Sequence, residues 1–291
     1  MTAGKKIIVA VRDAETGRLA LKRALSLASS PHDSIHLLHA SRMASMKRVM
    51  ELLARQWTPD DDEDNKQDEH AWLQGLAETA GPDGPKVTFE LVNGEPGTVI
   101  VESAVQRQAD LIVVAMPREG QVRQFFIGST ALRILRTAPC PVVVARGQIN
   151  TNYQRALIAV DLDDAGQRLL QAAGVWLANA KIDLVHAYRL EHEGRLRMRG
   201  RVTEEEILKL REFERLERDE KLNVYRAQLP DATVHLEHGW ANTVILDVAT
   251  RLKPDILVLS KHRGTNSDER IFGSVTQFLL YEFPSDILLA P

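Results

Sequence analysis

The sequence predicts an α/β protein of two tandem doubly wound domains, each a five-stranded parallel sheet with helices on both faces. Three observations carry that class. The chain is written twice, each copy alternates short apolar runs with helix-like segments, and 291 residues suit two cores better than one.

The repeat is read from five matches in the same order. Residues 6–12 (KIIVAVR) and 155–161 (RALIAVD) are β-branched runs 149 positions apart. Residues 35–40 (IHLLHA) match 182–187 (IDLVHA) at an offset of 147. Residues 109–116 match 254–261 at 145, and the same offset relates Gly128-Ser129 to Gly273-Ser274 and residues 139–145 to 284–290. Slowly drifting offsets in constant order indicate one unit duplicated. The domains are therefore expected at 1–148 and 149–291, joined near residues 147–153.

Continuous Val- and Ile-rich runs of four to six residues are what strands buried on both faces look like. Between them lie helical stretches. Residues 16–29 and 166–179 follow the first strand, 98–108 and 243–252 the third, 129–137 and 274–282 the fourth. Such alternation implies right-handed crossovers and a parallel sheet covered on both sides. The second helix of each unit is the variable one. Residues 60–69 hold seven acids and one lysine, which reads as a solvated loop or disordered insertion. Residues 203–229 read as a long charged helix, with Thr203 and Glu206 as a capping box and Ile207, Leu210, Phe213, Leu222 and Tyr225 as its apolar stripe.

Composition narrows the function. Apolar residues make up 44% and charged residues 26%, and the formal net charge is −3. No basic surplus exists to release counterions, so nucleic acid is not an expected partner. The longest apolar runs fall far below the roughly 18 residues of a membrane span, so no membrane partner is expected either. The first residues lead straight into a strand with no leader-like apolar stretch, so a cytoplasmic protein is expected. One cysteine, Cys140, lies between two prolines and reads as a small apolar filler. Signatures of phosphate-loop enzymes, dinucleotide-binding folds, serine hydrolases and zinc peptidases are missing. His186, His238 and His262 all fall near strand ends, but isolated histidines there are usually structural, and no metal is expected.

The chemistry that remains sits after the fourth strand. Unit one reads Ala115-Met-Pro-Arg118, nine residues, then Gly128-Ser129-Thr130; unit two reads Ser260-Lys-His-Arg263, nine residues, then Gly273-Ser274-Val275. A helix that opens there points unpaired amides and its positive dipole end at the strand C-termini, which suits a phosphate. The alternative is that each serine merely caps its helix.

This pattern resembles the universal stress protein family, and the chain looks like its tandem form, over nearly all 291 residues. The resemblance implies an adenine nucleotide alpha hydrolase-like fold and a cytosolic stress-response binding or regulatory module. In the nucleotide-binding branch the loop follows G-x-x-G-x9-G-S/T. The spacing and the Gly-Ser survive in both units, and the run APCPVVV at 138–144 is typical of the family. By resemblance, an aspartate ends the first strand beside adenine. Asp161 holds that place in unit two, whereas unit one has Arg12 with Asp13 beside it. His39 and His186 end the second strands, as in many members, with Ala187 following in unit two. His262 matches the residue before the second glycine; unit one has Pro117.

Both units lack the two early glycines, having Ala115 and Arg118 or Ser260 and Arg263 instead. Glycine there lets backbone approach phosphate closely. Arginine either clamps the phosphate or fills its cradle and pairs with Asp13 or Asp161. Unit two, with Asp161, His262 and a loop Gly264, is the better candidate for ATP or ADP; the anion would lie over Gly273, Ser274 and Val275. The competing readings are a slow nucleotide hydrolase using a cation on Asp161 or Asp163, and a ligand-free interaction scaffold. The two units are expected to pair as an intramolecular pseudo-dimer through strands 141–146 and 286–290, with a further homodimer open.

Overall fold

The computed structural model describes residues 4–41, 59–82, 84–116, 127–146, 152–198, 202–261 and 273–290, with backbone alone for 59–65 and 164. They form two compact units that divide between Asn152 and Tyr153. Unit one runs β1 (Lys6–Val11), α1 (Ala14–Leu27), β2 (Ser34–Ser41), α2 (Pro59–Glu78), β3 (Lys86–Asn93), α3 (Pro96–Arg107), β4 (Leu111–Ala115), α4 (Ser129–Thr137) and β5 (Val142–Ala145). Its strands lie in the order β3-β2-β1-β4-β5, and every pairing is parallel.

Unit two runs β6 (Arg155–Ala159), α5 (Asp164–Trp176), β7 (Lys181–Tyr188), α6 (Glu193–Met198), α7 (Glu204–Gln228), β8 (Thr233–His238), α8 (Ala241–Leu252), β9 (Ile256–Ser260), α9 (Ser274–Glu282) and β10 (Asp286–Ala290). Its order, β8-β7-β6-β9-β10, repeats that of unit one, again all parallel. The expected fold class holds.

The central strands β1, β4 and β5, and likewise β6, β9 and β10, bury almost every side chain, as strands covered on both faces must. Helix starts are fixed locally. Asp13 and Thr16 form a capping box on α1, Asp163 accepts from the amides of Ala165 and Gly166 on α5, and Thr203 with Glu206 boxes α7 as expected. Helices α3 and α8 end alike, on left-handed Gln108 (φ 53°) and Lys253 (φ 50°). A non-glycine residue accepts that conformation at some cost, and its recurrence in both units is the duplication seen in backbone form.

Two expectations are corrected. Residues 60–69 are not a loop: they begin the 20-residue helix α2. Pro59 is preset for a first helical position and carboxylates favour a helix N-terminus. Further along, Leu73 and Leu76 are buried and anchor the helix to the unit. On α7, Ile207, Leu222 and Tyr225 are buried as expected, but Leu210 and Phe213 are exposed, Phe213 at 63%. Steps of three residues precess by about 60° around a helix of 3.6 residues per turn. Phe213 has thus rotated roughly a third of a turn off the seam that Ile207 begins.

Helices α3 and α4 are tied together at one point. Glu95 caps α3 through the amides of Gly97 and Thr98, and Arg133 of α4 donates to Glu95 Oε2 at 2.8 Å and to Thr98 Oγ1 at 2.7 Å. These donors, the Thr98 hydroxyl foremost, hold the Glu95 carboxyl down at about 2 from an ordinary 4.5. A depressed carboxylate stabilises the fold fully above its unfolded value and loses that contribution as pH falls through its folded value. Unfolding free energies of the protein and of Glu95→Gln should therefore differ above pH 4.5 and converge as pH approaches about 2. Curves that stay parallel across that window would show the tie to be uncharged in effect.

Candidate functional site

In each unit the strand order reverses beside the first strand, between β1 and β4 and between β6 and β9. Ligands of doubly wound sheets bind beyond the strand C-termini at such a reversal. A cavity of about 540 Å³ opens there in unit one. Its floor is Ala10, Val11 and Arg12 at the end of β1 and Val114, Ala115 and Met116 at the end of β4. Pro96 and Ile100 of α3 form one wall, and Gly128, Ser129, Thr130 and Ala131 bring the start of α4 to the rim. His39 and Ala40 of β2 and Glu69 of α2 close the opposite end.

The start of α4 is a helix N-terminus of the anion-receiving kind. Gly128 occupies the cap position with no side-chain cap, and Ser129 is the first helical residue. Gly273 and Ser274 repeat this on α9. The reading of the serines as caps is thereby corrected: the cap is glycine, and the hydroxyl is not spent on its own helix. The first amides of such a helix have no acceptor within it, and the dipole adds to their pull on an anion.

Unit two places the corresponding residues together, in a smaller space of about 190 Å³ lined by Ala159, Val160, Asp161, His186, Ala187, Ser260, Gly273, Ser274, Val275 and Thr276 among others. One cause is Thr276, where unit one has Ala131. Its hydroxyl lies 3.3 Å from the Ser260 carbonyl and fastens α9 to the end of β9. Pockets that hold a small-molecule ligand usually span about 300–1,000 Å³, and of these two corresponding cavities the one in unit one falls in that range.

The remaining candidates separate. Asp13 caps α1 and is paired with the Arg12 guanidinium at 2.7 Å. Its partial burial pushes its carboxyl up, and hydrogen bonds from Thr16 and Arg12 more than offset that, leaving it below the ordinary value. Asp163 caps α5. Arg118, His262, Arg263 and Gly264, and with them the choice between clamp and plug, lie outside the described residues. Of the three histidines considered for a metal, His238 faces Glu193 at 3.4 Å, and His186 lies 2.8 Å from the Val160 carbonyl. Among the described residues no group of three or more His, Cys, Asp or Glu is placed to hold a metal ion.

Glu69, Pro96 and Ile100 are among the lining residues that sequence reading missed. Glu69 was hidden in the acidic run of residues 60–69. Its signal was the spacing Glu69, Leu73, Leu76, which puts the carboxylate on the inward stripe of α2.

Each half of the chain matches a family model, described as the universal stress protein family, over residues 4–146 and 152–291. A universal stress protein of Methanocaldococcus jannaschii is 24% identical over 151 residues, 49% of this chain and 82% of that protein. The universal stress protein YxiE of Bacillus subtilis is 25% identical over 146 residues, 48% of this chain and 98% of its own length. Among solved structures, a universal stress protein from Archaeoglobus fulgidus aligns with a TM-score of 0.69 at 14% identity, covering 98% of this chain and 97% of that one. A putative universal stress protein from Pseudomonas aeruginosa aligns at 0.65 and 19% identity, covering 99% and 93%. The two structural likenesses run along the whole tandem chain. No helix among the described residues is long and apolar enough to cross a membrane.

Proposed function

The chain belongs to the universal stress protein family in its tandem form, and from that premise we propose that it binds an adenine nucleotide in the cavity of its first unit. The observation that carries this reading is the cavity of about 540 Å³ at the strand-order reversal, with the glycine-capped start of α4 at its rim. The phosphates lie over the amides of Ser129 and Thr130, and the nucleoside runs across β1 towards β2. Sequence favours unit two through Asp161 and the loop around Arg263. The volumes favour unit one, because the ligand must fit before its contacts count. The second unit, held tighter by Thr276, serves as the regulatory or structural half of a stress-response module.

Hydrolysis through a cation on Asp161 or Asp163 is the second reading. It is weakened by Asp163, whose Oδ1 already accepts from the amides of Ala165 and Gly166 at 2.9 and 3.2 Å.

Calorimetric titration with ATP tests the assignment within one molecule. Ala115→Leu adds three carbons to the floor of the unit-one cavity and should weaken binding at least about tenfold, as filling a packed site does. Ser260→Leu makes the equivalent change in unit two and should leave binding within about twofold. No heat from the unaltered protein would retire nucleotide binding. Loss in Ser260→Leu alone would move the site to unit two.

A further inference from the structure

The outer edge of β3 is open. β3 is the end strand of unit one, and among the described residues no strand lies on its far side. All of Lys86–Asn93 pairs with β2 in unbroken register, so the edge is straight, and no proline interrupts it. A long, straight edge is a template for another strand, and native proteins usually blunt it.

One face of this edge is short of cover. Val87 and Phe89 are partly exposed, although their register partners on β2, Ile35 and Leu37, are wholly buried. Phe89 meets the exposed His70 ring of α2 edge-on, with centroids 5.0 Å apart. An open groove of about 540 Å³ lies beside them, between Pro85, Val87, Thr88 and Phe89 on one side and Ala77 and Glu78 of α2 on the other. The opposite face carries charge. Glu90 is held by Arg107 at 2.7 Å and lies 3.2 Å from His36 Nε2, with its side chain still 45% exposed. Lys86, four residues earlier and so on the same face, is exposed, and among the described residues no carboxylate pairs with it.

We infer that β3 pairs with β3 of a second copy, antiparallel about a two-fold axis that passes through Thr88 normal to the sheet. Such an axis keeps each face of the strand beside the same face of its partner. Thr88 then meets Thr88, while Val87 meets Phe89 and Lys86 meets Glu90 twice over. Paired hydroxyls, an aromatic on a β-branched side chain and opposite charges are the cross-strand pairs that stabilise a sheet. The charges also fix the register. Moving the axis to Phe89 would set Lys86 against Val92, and moving it to Glu90 would set two glutamates face to face. The edge of unit two lacks the pattern: β8 has no lysine or arginine, and its His235 is drawn to Asp183 at 3.0 Å.

Sedimentation equilibrium over a range of protein concentrations, without nucleotide, reads the association. The unaltered protein should form a reversible dimer. Lys86→Glu sets glutamate against glutamate at both ends of the pairing, and should weaken the dimer at least about tenfold. Because Lys86 is exposed and unpaired in the single copy, the variant should keep the melting temperature of the unaltered monomer. Raising the salt should weaken the unaltered dimer and favour that of the variant. Thr88→Cys reads the register. Opposite Cβ atoms lie about 4.5–5.5 Å apart, within a small adjustment of disulfide geometry, so mild oxidation should link dimers through residue 88. Asn93→Cys, exposed on the same strand but beyond the pairing, should not link, and Cys140 is buried. A protein that stays monomeric overturns the inference. So does a dimer that Lys86→Glu leaves unchanged, or one that oxidation does not link through residue 88.

Discussion

Arg155→Met should cost about 3–5 kcal/mol of folding stability, the usual cost of stranding one member of a buried ion pair. Asp183 on β7 is fully buried. Arg155 Nε donates to its Oδ2 at 2.7 Å, Arg155 Nη2 to Oδ1 at 3.1 Å, and His235 Nε2 on β8 approaches Oδ1 at 3.0 Å. Burial pushes the Asp183 carboxyl up, and the arginine and histidine outweigh it, so the group sits below its ordinary value. Removing the arginine leaves His235 alone to oppose burial. The variant's carboxyl should then protonate more readily than the unaltered protein's, and the stability deficit should narrow as pH is lowered. Asp183→Asn leaves the partly exposed arginine able to reach water. It should cost less, about 1–2 kcal/mol. Urea unfolding at neutral and acidic pH reads both. Equal costs for the two variants, or a deficit that does not change with pH, would mean that the pair is not the anchor of β6, β7 and β8.

How far the sequence disclosed this molecule depends on which force placed each part. Strands buried on both faces must be apolar at nearly every position, so residues 111–114 and 256–259 declare themselves, and the duplication then supplies strand order by repetition. Helix α2 did not declare itself, because it opens on an acidic run and the buried Leu73 and Leu76 that help anchor it to the unit come only further along. Acidic composition says that such a segment is solvated; it does not say whether the solvated backbone is helical. The end of the cavity at α4 was legible in the Gly-Ser spacing, since a helix start is a local feature. Its other end was not. Glu69 matters only because β2 and α2 meet, and the two cavity volumes are set by contacts such as Thr276 on the Ser260 carbonyl, which no local pattern records.

The sharpest difference between the duplicated units lies at the start of their first helices, and it carries the last prediction. Thr16 and Gly166 are both the third residue of a capped helix, α1 and α5. In unit one the Thr16 side chain completes the capping box and lines the cavity. In unit two that space is taken by Tyr225 of α7, whose hydroxyl donates to the Asp161 carbonyl at 2.9 Å and lies 3.3 Å from that of Asp163. A Cβ on Gly166 would meet the Asp161 carbonyl oxygen at 2.2 Å and the tyrosine hydroxyl at 2.3 Å. Neither contact is tolerable, and one is with backbone. Gly166→Ala should therefore destabilise the protein by about 3 kcal/mol, the upper part of the range for overpacking. Tyr225→Phe removes the hydroxyl bond and should cost about 1 kcal/mol alone. In the double variant the hydroxyl no longer opposes the new methyl, so the combined loss should fall short of the sum by about 1 kcal/mol, a coupling expected of residues in direct contact. Denaturant unfolding of the four proteins completes the cycle. Strict additivity would show that the strain at residue 166 lies wholly against the Asp161 carbonyl, and that α7 does not restrain the turn carrying Asp161.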